Sequence, residues 1–299
     1  MSGMRSRFYS VVADALDADE RVAVVLADIG VAQLRAAAER HPRRLVNVGI
    51  REQLLIGVTA GLALEGMRPV AHSYAAFLVE RPFEQIKLDL GHQDVGAVLV
   101  SIAASYDAAE EGRTHQSPGD VALLATLPGW TICTPGHSDE AEEQLRLALA
   151  GDGRVYVRLT EEENPEPVAA DGVVVVRRGS RGSPLVLAVG PTLAETLAAT
   201  ADLDVTVGYT ATPRPLDGEA IRAAATGADV VLVEPYLAGT SSAEVAAALR
   251  DRPHRLFALG VPNEELRRYG SGADHRAAHG LDARGIRRSL DAFLQTAAC

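Results

Sequence analysis

Short apolar runs, rich in β-branched residues and without polar alternation, recur along the first half of the chain. They are VAVVLA (22–27), RLVNV (44–48), RPVAH (68–72), GAVLVSI (96–102), WTICT (130–134) and VYVRL (155–159). Between them lie longer stretches with apolar residues at three- and four-residue spacing, such as GVAQLRAAAERH and SDEAEEQLRLALAG. Unbroken apolar strands separated by helices predict an α/β fold with a parallel sheet covered on both faces. The pattern stops at TEEENPEPVAADG, which is acidic and proline-containing, and at RRGSRGSP. It restarts with LVLAVG, AETLAATA, DVTVGY, GEAIRAAA, DVVLVEP, SAEVAAALR and HRLFALGV. The predicted organisation is a domain over 1–168, a linker and first strand (VVVV) over 169–183, and a smaller α/β domain over 184–299.

Ligands on open α/β sheets bind beyond the carboxyl ends of the strands. That rule singles out Asp28, Glu52, the segment after His72, the loop 103–118 and the segment after Arg158. Glu52 opens EQLLIGVTAGLALEG, at the point where an apolar strand gives way to an apolar helix. An acid in a first helical turn is favoured by the helix dipole, and most such acids lie on the surface. This helix carries Leu54, Leu55, Val58, Leu62 and Leu64 and keeps little polar face. Gly57 and Gly61 lower its propensity, which makes sense where another helix comes close, either in this domain or in a second chain. A carboxylate at the head of a buried helix needs a partner or a proton.

Composition narrows the function classes. The 299 residues are 47% apolar and 23% charged, as in ordinary globular domains, and the net charge is −11. No Lys/Arg tract exists to follow phosphates, so a nucleic-acid partner is not expected. MSGMRSRFYSVVADAL suggests an amphipathic helix rather than a signal peptide, and no apolar run reaches membrane-spanning length. Cys133 and Cys299 form neither a disulfide framework nor a metal spacing, so a cytoplasmic location is expected.

Four blocks in order carry a resemblance. GIREQLLIGVTAGLALEGMRPVAHSYAAFLVERPFEQI and EEGRTHQSPGDVALLATLPGWTICTPGHSDE resemble the pyrimidine-binding domain of transketolases. They are equally similar to the matching domain of deoxyxylulose-phosphate synthases. LGVPNEELRRYGSG and LDARGI resemble the C-terminal domain of the same families. The resemblance implies a thiamine-diphosphate-dependent transferase that moves a two-carbon ketol unit from a ketose donor to an aldehyde acceptor. It places Glu52 on N1′ of the cofactor's aminopyrimidine, where a shared proton favours the ring's imino tautomer. It places Tyr74 and Phe77 around that ring, with Phe77 stacking, and Asp28 nearby. It sets His115 facing the reacting carbon and hydroxyls, as a proton donor or shuttle. Glu111 takes the place of an Asp that touches a substrate hydroxyl, and Arg158 matches an arginine that grips a substrate phosphate. Without the resemblance, Tyr74 and Phe77 are core aromatics and His115 is a loop histidine. Asp28 is then a helix cap, and Arg158 pairs with Glu161 or Glu162.

The family's second requirement is a domain that holds the diphosphate through Mg2+ or Ca2+, marked by Gly-Asp-Gly and a later Asn. The GDG at Gly151–Gly153 precedes a strand as a turn, and no Asn follows at the family's distance. The diphosphate-binding half is therefore expected on a separate N-terminal transketolase subunit, in an α2β2 heterotetramer. Metal ligands are expected there and not in this chain. Ala103 and Ala104 stand where sugar-phosphate enzymes carry His or Arg, and Glu80 stands where the synthases have Arg. His92 and His137 fall in polar turns; His254, His275 and His279 are expected away from the site. Three other readings compete: the β subunit of a 2-oxoacid dehydrogenase E1 component, suggested by HQSPGD; a synthase-like enzyme; and a degenerate regulatory or scaffold subunit. THQ and the C-terminal block weigh against the first, and retained Glu52 and His115 against the last.

Overall fold

The computed structural model describes residues 3–168 and 172–296. The first sheet contains β1 (Val22–Leu26), β2 (Leu45–Asn47), β3 (Arg68–Tyr74), β4 (Val98–Ile102), β5 (Trp130–Cys133) and β6 (Arg154–Arg158). Their order is β2-β1-β3-β4-β6-β5, and every pairing is parallel. Every residue of β1 and β4 is buried, because both faces of the sheet are covered. Successive strand residues feed opposite layers. Val24 and Val100 meet Phe8, Val12 and Leu16 of α1 (Met4–Ala18) on one side. Val25 and Leu99 meet Leu55 and Ile56 of α3 (Glu52–Leu64) on the other. Between these helices, α2 (Arg35–Arg40) is shorter than the apolar spacing over 30–41 predicts. The chain leaves β1 through Asp28 at φ 64° and Gly30 at φ 89°, and a helix cannot begin through left-handed backbone. After β3 the chain winds in wide π-helical turns, Ala76–Glu80 and Ile86–His92.

The second sheet contains β7 (Val173–Arg177), β8 (Leu185–Val189), β9 (Thr206–Thr210), β10 (Asp229–Leu237) and β11 (Arg255–Val261), in the order β11-β10-β8-β9-β7. All its pairings are parallel except that of β7, an antiparallel edge strand on β9. Backbone bonds join the two units: Ile132 N–H to the Arg214 carbonyl at 2.8 Å, Thr134 N–H to Ala211 at 2.7 Å, and Leu237 N–H to Pro118 at 2.8 Å. Glu140 adds a carboxylate that accepts from the Tyr209 hydroxyl, from Gly136 N–H and from Val168 N–H. Cys133 is buried with a free thiol that burial pushes up to about 12, and Cys299 lies outside the described residues. No helix among the described residues is long and apolar enough to cross a membrane.

Candidate functional site

α3 starts beyond the carboxyl end of β2, after Gly49 turns the chain at φ 71°. Its first residue, Glu52, is only 4% exposed although it opens the helix. The partner its burial requires is Arg81, whose Nη1 donates to Glu52 Oε1 at 3.0 Å. The first turn of α3 also fixes the backbone of Arg81, since Gln53 Nε2 donates to the Arg81 carbonyl at 3.1 Å. The Arg81 guanidinium lies over the Phe77 ring at 3.7 Å. Tyr74 stacks on Phe77 at 5.7 Å, and His115 stands edge-on to both, 5.6 Å from Tyr74 and 4.9 Å from Phe77. One continuous array thus links Glu52, Arg81, Phe77, Tyr74 and His115. Arg81 is the member that sequence reasoning missed. Glu80, one place earlier, instead accepts a bond from Ser117 Oγ at 2.8 Å.

This array also bears on whether the residues suit the cofactor the family implies. A guanidinium is flat, cationic and rich in N–H donors. Here it stacks on an aromatic face and donates to a buried carboxylate. A protonated aminopyrimidine would make the same two contacts. Among the described residues no other donor reaches the Glu52 carboxylate. The chain's residues therefore fit the ring, provided Arg81 moves aside for it.

The loop 103–118 carries His115 and is strained at its start, with Ala103 at φ 55° and Ser105 at φ 53°. It closes on itself through Ser117 N–H and the Ser105 carbonyl at 2.9 Å. Gly112 sits at φ 68°, left-handed backbone that favours glycine, with the exposed Tyr269 ring packed over it. Gln116 is fully buried and its amide meets His275 Nε2 at 3.5 Å, while Tyr106 stacks on the His275 ring. His275 and its neighbour His279 therefore do not lie away from the site; they pack behind its loop. Sequence spacing cannot show this, because the contact joins two domains. Burial lowers the pKa of both, that of His279 to about 4.

Glu111 is exposed and lines a cavity of about 320 Å³ together with Tyr74, Ala103, Asp107 and Glu161. Burial, with Glu161 and Glu162 nearby, pushes the Asp107 carboxyl up to about 8.

Two residues lie in surroundings other than expected. Arg158 has no exposed surface and is paired with neither Glu161 nor Glu162. Its Nε donates to Asp120 at 2.8 Å and its Nη2 to Ser105 Oγ at 2.6 Å. It is sealed beneath the loop rather than presented at the strand end, where an anion would need it. Asp28 is exposed and caps no helix. Its carboxylate takes Asn47 Nδ2 at 2.9 Å, tying the ends of β1 and β2 together just before α3. The GDG turn leads into the amino end of β6, the opposite edge of the sheet, and its Asp152 is 3.6 Å from Arg21.

Residues 2–167 match the family described as "Transketolase, pyrimidine binding domain". An uncharacterized 33.6 kDa protein in the fasciation locus of Rhodococcoides fascians is 51% identical over 97% of this chain and 95% of its own length. The 1-deoxy-D-xylulose-5-phosphate synthase of Thioalkalivibrio sulfidiphilus is 32% identical over 86% of this chain. The chain spans only 41% of that synthase's length. A solved split-gene transketolase, described as an inactive β4 tetramer, shares the fold over 97% of both chains, with a TM-score of 0.83 at 24% identity.

Proposed function

We propose, from the premise that the chain belongs to the transketolase pyrimidine-binding-domain family, that it is the C-terminal subunit of a two-component, thiamine-diphosphate-dependent transketolase. The observation that carries this reading is the array of Glu52, Arg81, Phe77, Tyr74 and His115 in a chain that spans less than half of its full-length synthase relatives. Thiamine diphosphate, when bound, would supply the electron sink for cleaving and forming the carbon–carbon bond. Glu52 would share a proton with the ring nitrogen N1′, in a site where low dielectric strengthens the bond. Phe77 would offer its face to the ring, Tyr74 would border it, and Asp28 would stand nearby. His115, held edge-on by both aromatics, would donate to the substrate oxygen, with Glu111 toward a hydroxyl. A substrate-anion role for Arg158 has no support from its position. The Mg2+ or Ca2+ ligands would come from an N-terminal subunit, in an α2β2 assembly in the cytoplasm. The domain division at 1–168, 169–183 and 184–299 belongs to the same proposal.

The outer side of α3 supports a missing partner. Ile50 is 70% exposed and Leu54 44%, both two residues from Glu52, and Leu64 at the far end of α3 is 58% exposed. No atom comes within 4 Å of the space a Cβ on Gly61 would occupy, so this glycine is not needed for a contact within the chain. Exposed apolar surface beside a site marks an interface. The solved relative described as a split-gene transketolase supports a division of the enzyme between two chains. Synthase-like chemistry is the second reading, favoured by the 32% identity to a deoxyxylulose-phosphate synthase.

The test is reconstitution. The chain is mixed with a candidate N-terminal subunit and offered a ketose donor with an aldehyde acceptor, or a 2-oxoacid. Ketol transfer that needs both subunits is expected. Turnover of 2-oxoacids alone would move the chain to the dehydrogenase or synthase readings.

A further inference from the structure

The cavity of about 320 Å³ beside Tyr74 connects to the array at two points. Tyr74 is both a wall of the cavity and the ring on which His115 stands. Glu111, another wall, lies four residues before His115 on the same loop. A small substrate reacting at His115 would have its far end here. The charge of the walls is one-sided. Asp107, Glu111, Glu161 and Glu163 line the cavity, and among the described residues Arg5 is the only cation in its lining. Arg5 already donates to the Tyr9 hydroxyl at 3.2 Å. Glu163 is held by neutral donors, the N–H groups of Met4 at 2.8 Å and Ser138 at 3.0 Å, so its charge is not cancelled there. Asp107 accepts only from the Glu161 N–H, at 3.0 Å. Arg158 acts on Asp107 from beneath the loop but is bonded to Asp120, and Arg276 is held by Glu162 and Glu195.

From this geometry we infer that the cavity receives the far end of the transferred or accepting sugar and selects tails bearing hydroxyl or ammonium groups, rejecting phosphate and sulfonate. The inference rests on the proposed ketol transfer for its substrate, while the charge selectivity belongs to the cavity alone. Like-charge juxtaposition disfavours a dianion beside these carboxylates. Hydroxyls can donate to carboxylates, and an ammonium group is attracted to them. Burial pushes the Asp107 carboxyl up to about 8, so near neutrality the negative charge of the walls rests on Glu111, Glu161 and Glu163.

The experiment has two arms. In the first, the two-subunit complex is given D-erythrose or D-erythrose 4-phosphate as acceptor with one uncharged ketol donor. The unphosphorylated sugar should show kcat/KM about tenfold or more above its phosphate. Glu161→Arg, which places a cation in the wall, should narrow or reverse that ratio, and Glu161→Gln should fall between. A wild-type preference for the phosphate would overturn the inference and leave the transferase reading intact. Absence of transfer to either acceptor would count against the transferase reading instead. The second arm needs no turnover. Inorganic phosphate is titrated into the chain while NMR shifts of the loop 103–118 are followed. Wild type should not respond and Glu161→Arg should. Saturable phosphate binding by wild type at this loop would overturn the inference by itself.

Discussion

Glu52 and Arg81 satisfy each other with one charged hydrogen bond, and Phe77 supports the guanidinium from below. An amide at position 52 keeps the shape and the accepting oxygen, so Glu52→Gln should fold, keep Arg81 nearby and join its partner. What the amide cannot do is share a proton with a ring nitrogen. Turnover of the assembled complex should therefore drop on the order of 10²–10³-fold, as when one preorganised electrostatic contact is removed. Steady-state kinetics on the reconstituted pair, with circular dichroism to check the fold, measures it. Turnover close to wild type would remove Glu52 from the chemistry and leave it as the structural partner of Arg81. Part of this site could be found in the sequence. Glu52 stands out because a carboxylate heads an apolar helix. Arg81 does not, because Ala76–Glu80 winds as a π-helix and shifts the residue that faces α3 by one place.

At the scale of elements, the strands were readable because parallel strands buried on both faces carry unbroken apolar runs, whereas their spatial order leaves no periodic trace. The surroundings of Arg158 at the end of β6 could not be read either, since its partner Asp120 comes from a helix 38 positions earlier in the chain. Both members of that pair have no exposed surface. Breaking a buried pair strands a charge, so Arg158→Ala should lower stability by about 3–5 kcal/mol, read from urea unfolding. A variant as stable as wild type, with a KM raised only for anionic substrates, would return Arg158 to the substrate. β3 offers a pH test. His72 is fully buried, its Nδ1 donates to the Val100 carbonyl at 2.8 Å, and its Nε2 meets the Tyr9 hydroxyl of α1 at 3.2 Å. A carbonyl only accepts, so the proton sits on Nδ1 and Nε2 accepts from Tyr9. Burial lowers the His72 pKa to about 4 from the ordinary 6.5. The unfolded chain takes up this proton first, so the His72 contribution is complete above about pH 6.5 and is lost as pH falls toward 4. Asp107 acts with the opposite sign, but it is common to wild type and His72→Gln and cancels in their difference. Urea midpoints at neutral and mildly acidic pH should therefore fall more steeply in wild type than in His72→Gln. Parallel slopes would contradict the assignment.

For the whole molecule, the second domain holds the loop 103–118 while Ile50 and Leu54 beside Glu52 stay exposed. Pro118 and Gln116 are held from the C-terminal side, by Leu237 and His275. These contacts tie the loop to the second sheet's domain within this chain. Under the two-component reading the other half of the pocket is a partner surface over Ile50 and Leu54, which no described residue covers. The isolated chain should accordingly bind thiamine diphosphate weakly by calorimetry, since it supplies a ring contact and a carboxylate but no grip on the diphosphate. Leu54 is 44% exposed, so Leu54→Glu should leave the isolated chain folded. It should also place a charge in the centre of the apolar face and prevent association with the N-terminal subunit. Light scattering of the mixed subunits reads the mass, and activity should vanish together with the complex. If the charged variant still assembles and turns over, α3 is not the interface. If wild type binds the cofactor tightly and in a metal-dependent way without a partner, the two-component reading itself is wrong.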